Sequence, residues 1–146
     1  WKSYNCVAWI AVSVRWNAKL APMAASLDQA AHRRLIVWHK AVQLARHAYA
    51  VAHTLPVDER YDLGRQLRRA AVSIVANIAE GAGRRHRRDI ARFLAFARGS
   101  GREVAALLDV AEACDLVPAT ALTEARGLAD EVSRMLTTML QRLDPL

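Results

Sequence analysis

The sequence is poor in the residues that build and turn β-sheets. Six glycines and four prolines among 146 residues are too few for an all-β fold, which turns about every ten residues. Aromatic residues amount to 6% of the chain, whereas a β-sandwich core draws on aromatic and β-branched side chains. These scarcities favour packed helices, and the length suits one domain with a single hydrophobic core.

Cysteine and long apolar runs are scarce as well. Cys6 and Cys114 are far apart and belong to no Cys-x-x-Cys pair, which argues against a zinc site or a disulfide framework and favours the cytoplasm. The apolar run at residues 7–12 is shorter than a typical signal-peptide core. No stretch reaches the roughly 18 apolar residues that a membrane helix needs. We therefore expect a cytoplasmic protein without a membrane partner.

The familiar catalytic and metal-binding patterns are also missing from the sequence. Its five histidines form no pair four residues apart and no His-Glu-x-x-His pattern, so a helical metal site is not expected. The Glu-x-x-His motifs of metal-binding bundles are absent too. The glycines at Gly81 and Gly83 lack the lysine and serine of a phosphate loop, and no nucleophile elbow occurs. We expect no enzymatic activity, no catalytic residue, no metal and no cofactor.

What the chain does contain is alanine in a helical pattern. Alanine supplies 29 of the 78 hydrophobic residues, and apolar residues recur at three- and four-residue steps, which places them on one helical face. In the first predicted helix this stripe consists of Leu35, Trp38, Val42, Ala45, Tyr49, Ala52 and Leu55. Three further stripes run from Leu63 to Ile78, from Ile90 to Ala111 and from Leu122 to Leu143.

The predicted helices are separated by short connections. Pro56 ends the first helix, the Asp58 carboxylate is expected to cap the second, and the third ends before Pro118. Short connections make consecutive helices antiparallel neighbours. The sequence therefore predicts an all-α fold, an up-down-up-down antiparallel four-helix bundle, at residues 33–146.

The first 32 residues differ from the rest of the chain. Trp1 stands where an initiator methionine is usual, and Met23 begins a more ordinary stretch. We therefore expect residues 1–32 to form an N-terminal extension that is poorly ordered or foreign to the native protein.

A column of polar residues runs beside the apolar stripe of the second predicted helix. Its members are Gln66, Arg69, Ser73, Asn77, Glu80 and Arg84, whose spacing of three and four residues stacks them along one side. The column either hydrogen-bonds internally or faces a partner, and a solvated flank with a Glu80–Arg84 ion pair is the plainer alternative. Asn77 lies next to apolar Ile78, which favours a role in fixing register or packing.

Positive charge is concentrated in the middle of the chain. The net charge is +7, yet residues 60–102 carry eleven basic and three acidic side chains, and residues 103–146 carry three and eight. Guanidinium groups bind phosphates bidentately, so we predict contact with the RNA or DNA backbone, without sequence readout. The candidate contact residues are Arg65, Arg68, Arg69, Arg84, Arg85, Arg87, Arg88 and Arg92.

The same charge distribution permits a second interpretation. The basic middle of one copy could meet the acidic last third of another, which would make the protein a homo-oligomeric scaffold that needs no nucleic acid. Aromatic side chains that stack on bases are scarce near the arginines, because only Phe93 and Phe96 lie there and Phe93 fits the core pattern.

Two glycines interrupt the third predicted helix. Ser100 and Glu103 have the spacing of a capping box that could restart a helix. Alternatively, Gly99 and Gly101 let two helices approach closely within one continuous helix. We favour the continuous helix, because the apolar stripe keeps its phase across the site.

Residues of the second and third predicted helices resemble a known family. The sequence QLRRAAVSIVANIAEG at residues 66–81, followed by Arg84, Phe93 and the stretch from Ala97 to Glu103, is similar to the bacterial four helix bundle protein family. That family includes proteins encoded in intervening sequences of ribosomal RNA genes and is related to the accessory protein of diversity-generating retroelements. The resemblance covers about residues 33–143.

The resemblance implies a small up-down bundle that forms homo-oligomers, with ring-shaped pentamers among its relatives. It implies RNA or DNA as a partner for retroelement relatives, and a reverse transcriptase only if this protein belongs to a retroelement. The signature positions outside the arginines, with an implied structural or interface role, are Ser73, Asn77, Glu80, Gly81, Gly99, Ser100 and Glu103.

Overall fold

Helices form nearly all of residues 31–143, the part of the chain that the structure, a computed structural model, describes. A short 3-10 turn, His32–Arg34, precedes five α-helices. They are α1 (Ile36–Thr54), α2 (Val57–Tyr61), α3 (Leu63–Ala82), α4 (Arg87–Ala113) and α5 (Ala119–Leu143). No strand occurs between residues 31 and 143, so the predicted all-α class is confirmed. Most of the proposed N-terminal extension, residues 1–30, lies outside the described residues.

The four long helices form an antiparallel bundle. Each of α1 and α4 packs against both α3 and α5, and α2 is a single short turn beside the start of α3. Side chains link the antiparallel neighbours at both ends: Lys40 pairs with Glu131 at 3.0 Å, and Arg126 pairs with Asp109 at 2.8 Å. The up-down-up-down four-helix bundle predicted from the sequence is confirmed.

One continuous hydrophobic core runs through the bundle. It contains 24 buried apolar residues, of which nine are alanine, and small side chains allow helix axes to approach closely. Among the residues that the structure describes, no polar or charged side chain is buried. The predicted stripes of α3 and of the first part of α5 lie in this core, because their apolar residues occupy one face each.

The core face of α1 overlaps the predicted one only in part. The buried residues of this helix are Val37, Ala41, Leu44, Ala48, Val51 and Ala52, whereas Tyr49 is 49% exposed. The prediction was right for Ala52 and Leu55 and wrong for Tyr49. The predicted residues Leu35, Trp38 and Ala45 are partly buried and pack against the core. The physical reason is that α1 is apolar over most of its circumference. The packing of α3 and α5 against it therefore determines which of two adjacent apolar stripes is buried.

The second predicted helix is divided at Asp62. This residue has φ −105° and ψ −85°, and it separates α2 from α3. The predicted cap was wrong, since Pro56 occupies the N-cap position and no side chain caps α2. Asp58 lies inside the first turn of α2, where its negative charge interacts favourably with the positive end of the helix dipole.

The third predicted helix is continuous, as expected. α4 runs through Gly99 and Gly101 without a break. A methyl group built at Gly99 would have no neighbour within 4 Å, so glycine is not required there for a close approach. The tight position is Gly81 in α3, where a Cβ would lie 3.2 Å from the Phe93 Cβ on α4.

Alanine substitutions at these two glycines have opposite expected effects. Gly81→Ala should lower the free energy of unfolding by about 1–2 kcal/mol, since overpacking against Phe93 must push α3 and α4 apart. Gly99→Ala should raise the free energy of unfolding by about 0.5–1 kcal/mol. Alanine leaves the unfolded chain fewer conformations than glycine does, and it is more stable than glycine at an exposed position in a helix. Urea titration followed by circular dichroism measures both values. Equal stabilisation by the two substitutions would contradict the close approach at Gly81.

Candidate functional site

The bundle topology collects basic residues from separate parts of the chain at one end. The start of α1, the corner between α3 and α4, and the end of α5 all lie there. Direct contact supports this arrangement, since Arg87 Nη2 donates a hydrogen bond of 2.8 Å to the Arg142 carbonyl oxygen. We call this region the basic end, and its basic residues are His32, Arg33, Arg34, Arg84, Arg85, His86, Arg87, Arg88, Arg92 and Arg142.

Charge is polarised along the bundle axis. The half that contains the basic end, residues 31–46, 73–98 and 131–143, carries twelve lysines and arginines and three acidic residues. The opposite half, residues 47–72 and 99–130, carries six basic and nine acidic residues. Within the described residues, one half of the bundle therefore attracts a polyanion more strongly than the other.

Arginines of the α3–α4 corner face solvent. Arg85, Arg87 and Arg88 are exposed, and none of them forms a salt bridge with another residue in the described range. The guanidinium groups of Arg85 and Arg88 are thus free to bind an external anion, and that of Arg87 retains further N–H donors besides its bond to the Arg142 carbonyl oxygen. Arg84 differs, because it pairs with Glu80 one turn earlier, as the plainer sequence interpretation anticipated.

Aromatic rings accompany the arginines at the beginning of α4. The Arg84 guanidinium carbon lies 4.9 Å from the centroid of the Phe93 ring. That of Arg92 lies 5.9 Å from Phe93 and 5.6 Å from Phe96, within the range of cation–π attraction. Phe93 and Phe96 meet edge to face at 6.2 Å. Phe96 is 50% exposed, so it offers a ring face beside the basic end.

The remaining predicted arginines lie at the other end of the bundle. Arg65, Arg68 and Arg69 begin α3, and the distance from Arg65 to Arg84 along this helix is about 28 Å. Arg68 Nη2 donates to the Arg60 carbonyl oxygen at 3.0 Å, while Arg65 lies 3.9 Å from Asp62. The eight candidate arginines therefore do not cluster at one end of the bundle.

Two arginines at this opposite end of the bundle hold the turn between α1 and α3. Arg60 Nε donates a 2.7 Å hydrogen bond to the Leu55 carbonyl oxygen, and Arg68 in turn binds Arg60. The last carbonyl groups of a helix have no hydrogen-bond donor within the helix and need donors of this kind. Arg68 thus stabilises this turn through its hydrogen bond to the Arg60 carbonyl oxygen.

Part of the polar column on α3 is an internal network. Ser73 Oγ and Ser100 Oγ are 2.8 Å apart and join α3 to α4. Asn77 Nδ2 donates to the Ser73 carbonyl oxygen at 2.8 Å and to Ser73 Oγ at 3.1 Å. These part-buried bonds fix the register of the two helices, so this section of the column packs internally, whereas Gln66 and Arg69 are exposed.

Acidic residues of α4 are engaged with α5. Arg126 donates to Glu112 Oε2 at 2.6 Å and to Asp109 Oδ1 at 2.8 Å, and these two hydrogen bonds raise the pKa of Arg126. Between residues 31 and 143 no group of three or more histidine, cysteine or acidic residues is placed to hold a metal ion. No helix in the same range has the length and hydropathy to cross a membrane.

A family comparison matches this bundle. The model of the 23S rRNA-intervening sequence protein family aligns with residues 33–138, which include α1 to α4 and most of α5. The chain belongs to that family. No curated protein matches the chain. The family membership confirms the resemblance to intervening-sequence proteins seen in the sequence.

The family description of the 23S rRNA-intervening sequence protein refers to an RNA and to no chemical reaction. Most of the predicted signature lies where α3 meets α4: Ser73, Asn77 and Ser100 in the network, and Gly81 at the close contact. Gly99 and Glu103 lie on the exposed side of α4. Sequence analysis did not find Arg33, Arg34 and Arg142 as site residues, because only the bundle topology brings them to the α3–α4 corner.

Proposed function

We propose that this 23S rRNA-intervening sequence protein is a non-enzymatic cytoplasmic protein that binds the backbone of RNA or DNA through its basic end. The observation that carries the proposal is the convergence of three chain segments there, which gives one half of the bundle a large excess of positive charge. The exposed free thiol of Cys114 fits a reducing compartment such as the cytoplasm.

The chemistry of the basic end suits phosphate groups. Arg85, Arg87 and Arg88 are exposed without an acidic partner in the described range, and guanidinium groups bind phosphate oxygens bidentately. The charged groups lie at a corner and at helix ends, where guanidinium groups can reach phosphates. Binding through the backbone alone predicts little discrimination among sequences.

Salt dependence tests this proposal. Counterion release makes the logarithm of the affinity fall linearly with the logarithm of the salt concentration, with a slope of about −0.7 for each phosphate contact to a single strand. Five contacts at the basic end therefore predict a slope of about −3.5. Fluorescence anisotropy with labelled RNA measures it. An affinity that does not change with salt, or no binding at low salt, would refute the proposal.

The polarised charge also supports self-association as a second function. The acidic half of one copy complements the basic end of another, so the protein would act as a homo-oligomeric scaffold in place of a nucleic-acid binder. Light scattering distinguishes the two. A scaffold should form an oligomer that dissociates at high salt and is indifferent to RNA, whereas a monomer at low salt would exclude this function.

A further inference from the structure

A groove between α4 and α5 opens beside the basic end. Its volume is about 770 Å³, within the range of sites that hold small organic groups. One wall comes from the first half of α4 and the other from the last turns of α5. The groove therefore continues the basic end along the side of the bundle.

The walls of this groove are positively charged without compensation. Arg87, Arg88, Arg92 and Arg98 line it, and none of its lining residues in the described range is acidic. A second groove, between α1 and α5, gives the contrast, because its lining residues Lys40 and Arg46 are balanced by Glu124 and Glu131. Lys40 and Glu131 form an ion pair. Of these two grooves, the α4–α5 groove has the electrostatics of an anion site.

Part of the groove lining is apolar, and we call this part the floor of the groove. Ala91 and Ala95 contribute from α4, and Leu140 and Leu143 contribute from α5. A duplex presents phosphates and sugars on its outside, so it would touch the arginine rim and leave this floor in contact with water. A single strand carries unpaired bases, whose faces can cover apolar and aromatic side chains while its phosphates meet the arginines.

An aromatic ring extends the same surface. Arg92 lines the groove and also lies 5.6 Å from the centroid of Phe96, whose ring is half exposed. A base that stacks on Phe96 would be beside the same guanidinium group. Stacking on aromatic and arginine surfaces is how proteins hold single strands without reading their sequence.

We propose that the α4–α5 groove binds single-stranded nucleic acid, with bases against the apolar floor and phosphates on the four arginines. This inference rests on the proposed function and specifies its substrate class. Binding should be strongest for a short uridine oligomer, and about tenfold weaker for its duplex and for an abasic sugar-phosphate strand of equal length. Fluorescence anisotropy at one fixed salt concentration measures the three affinities.

A substitution that fills the groove provides the decisive comparison. Ala95 is exposed on α4, so Ala95→Gln places a longer neutral side chain over the floor and leaves every charge unchanged. It should weaken uridine binding about tenfold, the loss expected for one displaced base, and should leave duplex binding within twofold. Ala106→Gln is the matched control on the exposed face of the same helix, outside the groove, and should change neither affinity.

Each other outcome overturns the inference in a recognisable way. If the duplex binds as tightly as the single strand and Ala95→Gln has no effect, the groove is not used, while backbone binding at the basic end stands. If none of the three ligands binds at low salt, the proposed function fails as well. If Ala95→Gln lowers the mass measured by light scattering but not the uridine affinity, the groove is a contact between copies.

Discussion

Replacing Arg85, Arg87 and Arg88 together by alanine should weaken binding of single-stranded RNA by about 50-fold at 0.15 M salt. The three guanidinium groups are exposed at the α3–α4 corner and have no acidic partner in the described range. Each lost phosphate contact removes about 0.7 from the slope of log affinity against log salt. The slope should therefore become about 2 units less steep, and the RNA titration measures both changes.

A matched variant distinguishes the effect of where the arginines lie from the effect of the total charge of the protein. Replacing Arg65, Arg69 and Arg102 by alanine removes the same charge from exposed sites in the opposite half of the bundle. Its affinity should fall less than about threefold, because few of these charges lie within a Debye length of about 8 Å of the bound strand. Equal losses in the two variants would mean that net charge governs binding, and the basic end would lose its special role.

The expected difference in RNA affinity between these variants follows from the bundle topology, which is not apparent from the sequence alone. The run of arginines at residues 84–88 is visible in the sequence, and it was predicted as part of the site. Arg33 and Arg142 are more than 100 residues apart in the chain, and they join the basic end only because α1 begins where α5 finishes. Conversely, a helix of the length of α3 spans about 30 Å, so arginines at its two ends cannot serve one compact site.

The fold was more predictable than the site, for a physical reason. In α3 the leucine and isoleucine side chains, from Leu63 to Ile78, occupy one phase only, and the arginines lie on the rest of its circumference. Such a helix can bury only one face, so the sequence determines its orientation. In α1 the apolar residues occupy two adjacent phases, one through Leu44 and one through Tyr49. There the orientation depends on the neighbouring helices, and the stripe read from the sequence was wrong at Tyr49 and omitted Leu44.

Leu44→Ala should lower the free energy of unfolding by about 2–5 kcal/mol, the usual cost of removing a leucine side chain from a packed core. Leu44 is fully buried at the centre of the α1 core face. Tyr49→Ala should change the stability by less than about 0.5 kcal/mol, since a half-exposed surface position contributes little. The predicted stripe would reverse this order, because it places Tyr49 inside and omits Leu44. Urea titrations at one protein concentration measure both values.

The same pair of variants tests whether α1 holds the basic end together. Arg33 and Arg34 precede α1 and reach the α3–α4 corner only while α1 is docked through Leu44 and its neighbours. Folded Leu44→Ala protein should therefore bind RNA more weakly than Tyr49→Ala protein at equal salt. Equal stability of the two variants would contradict the burial of Leu44. Equal RNA affinity, with Leu44→Ala destabilised as expected, would show that the corner arginines bind without the contribution of α1.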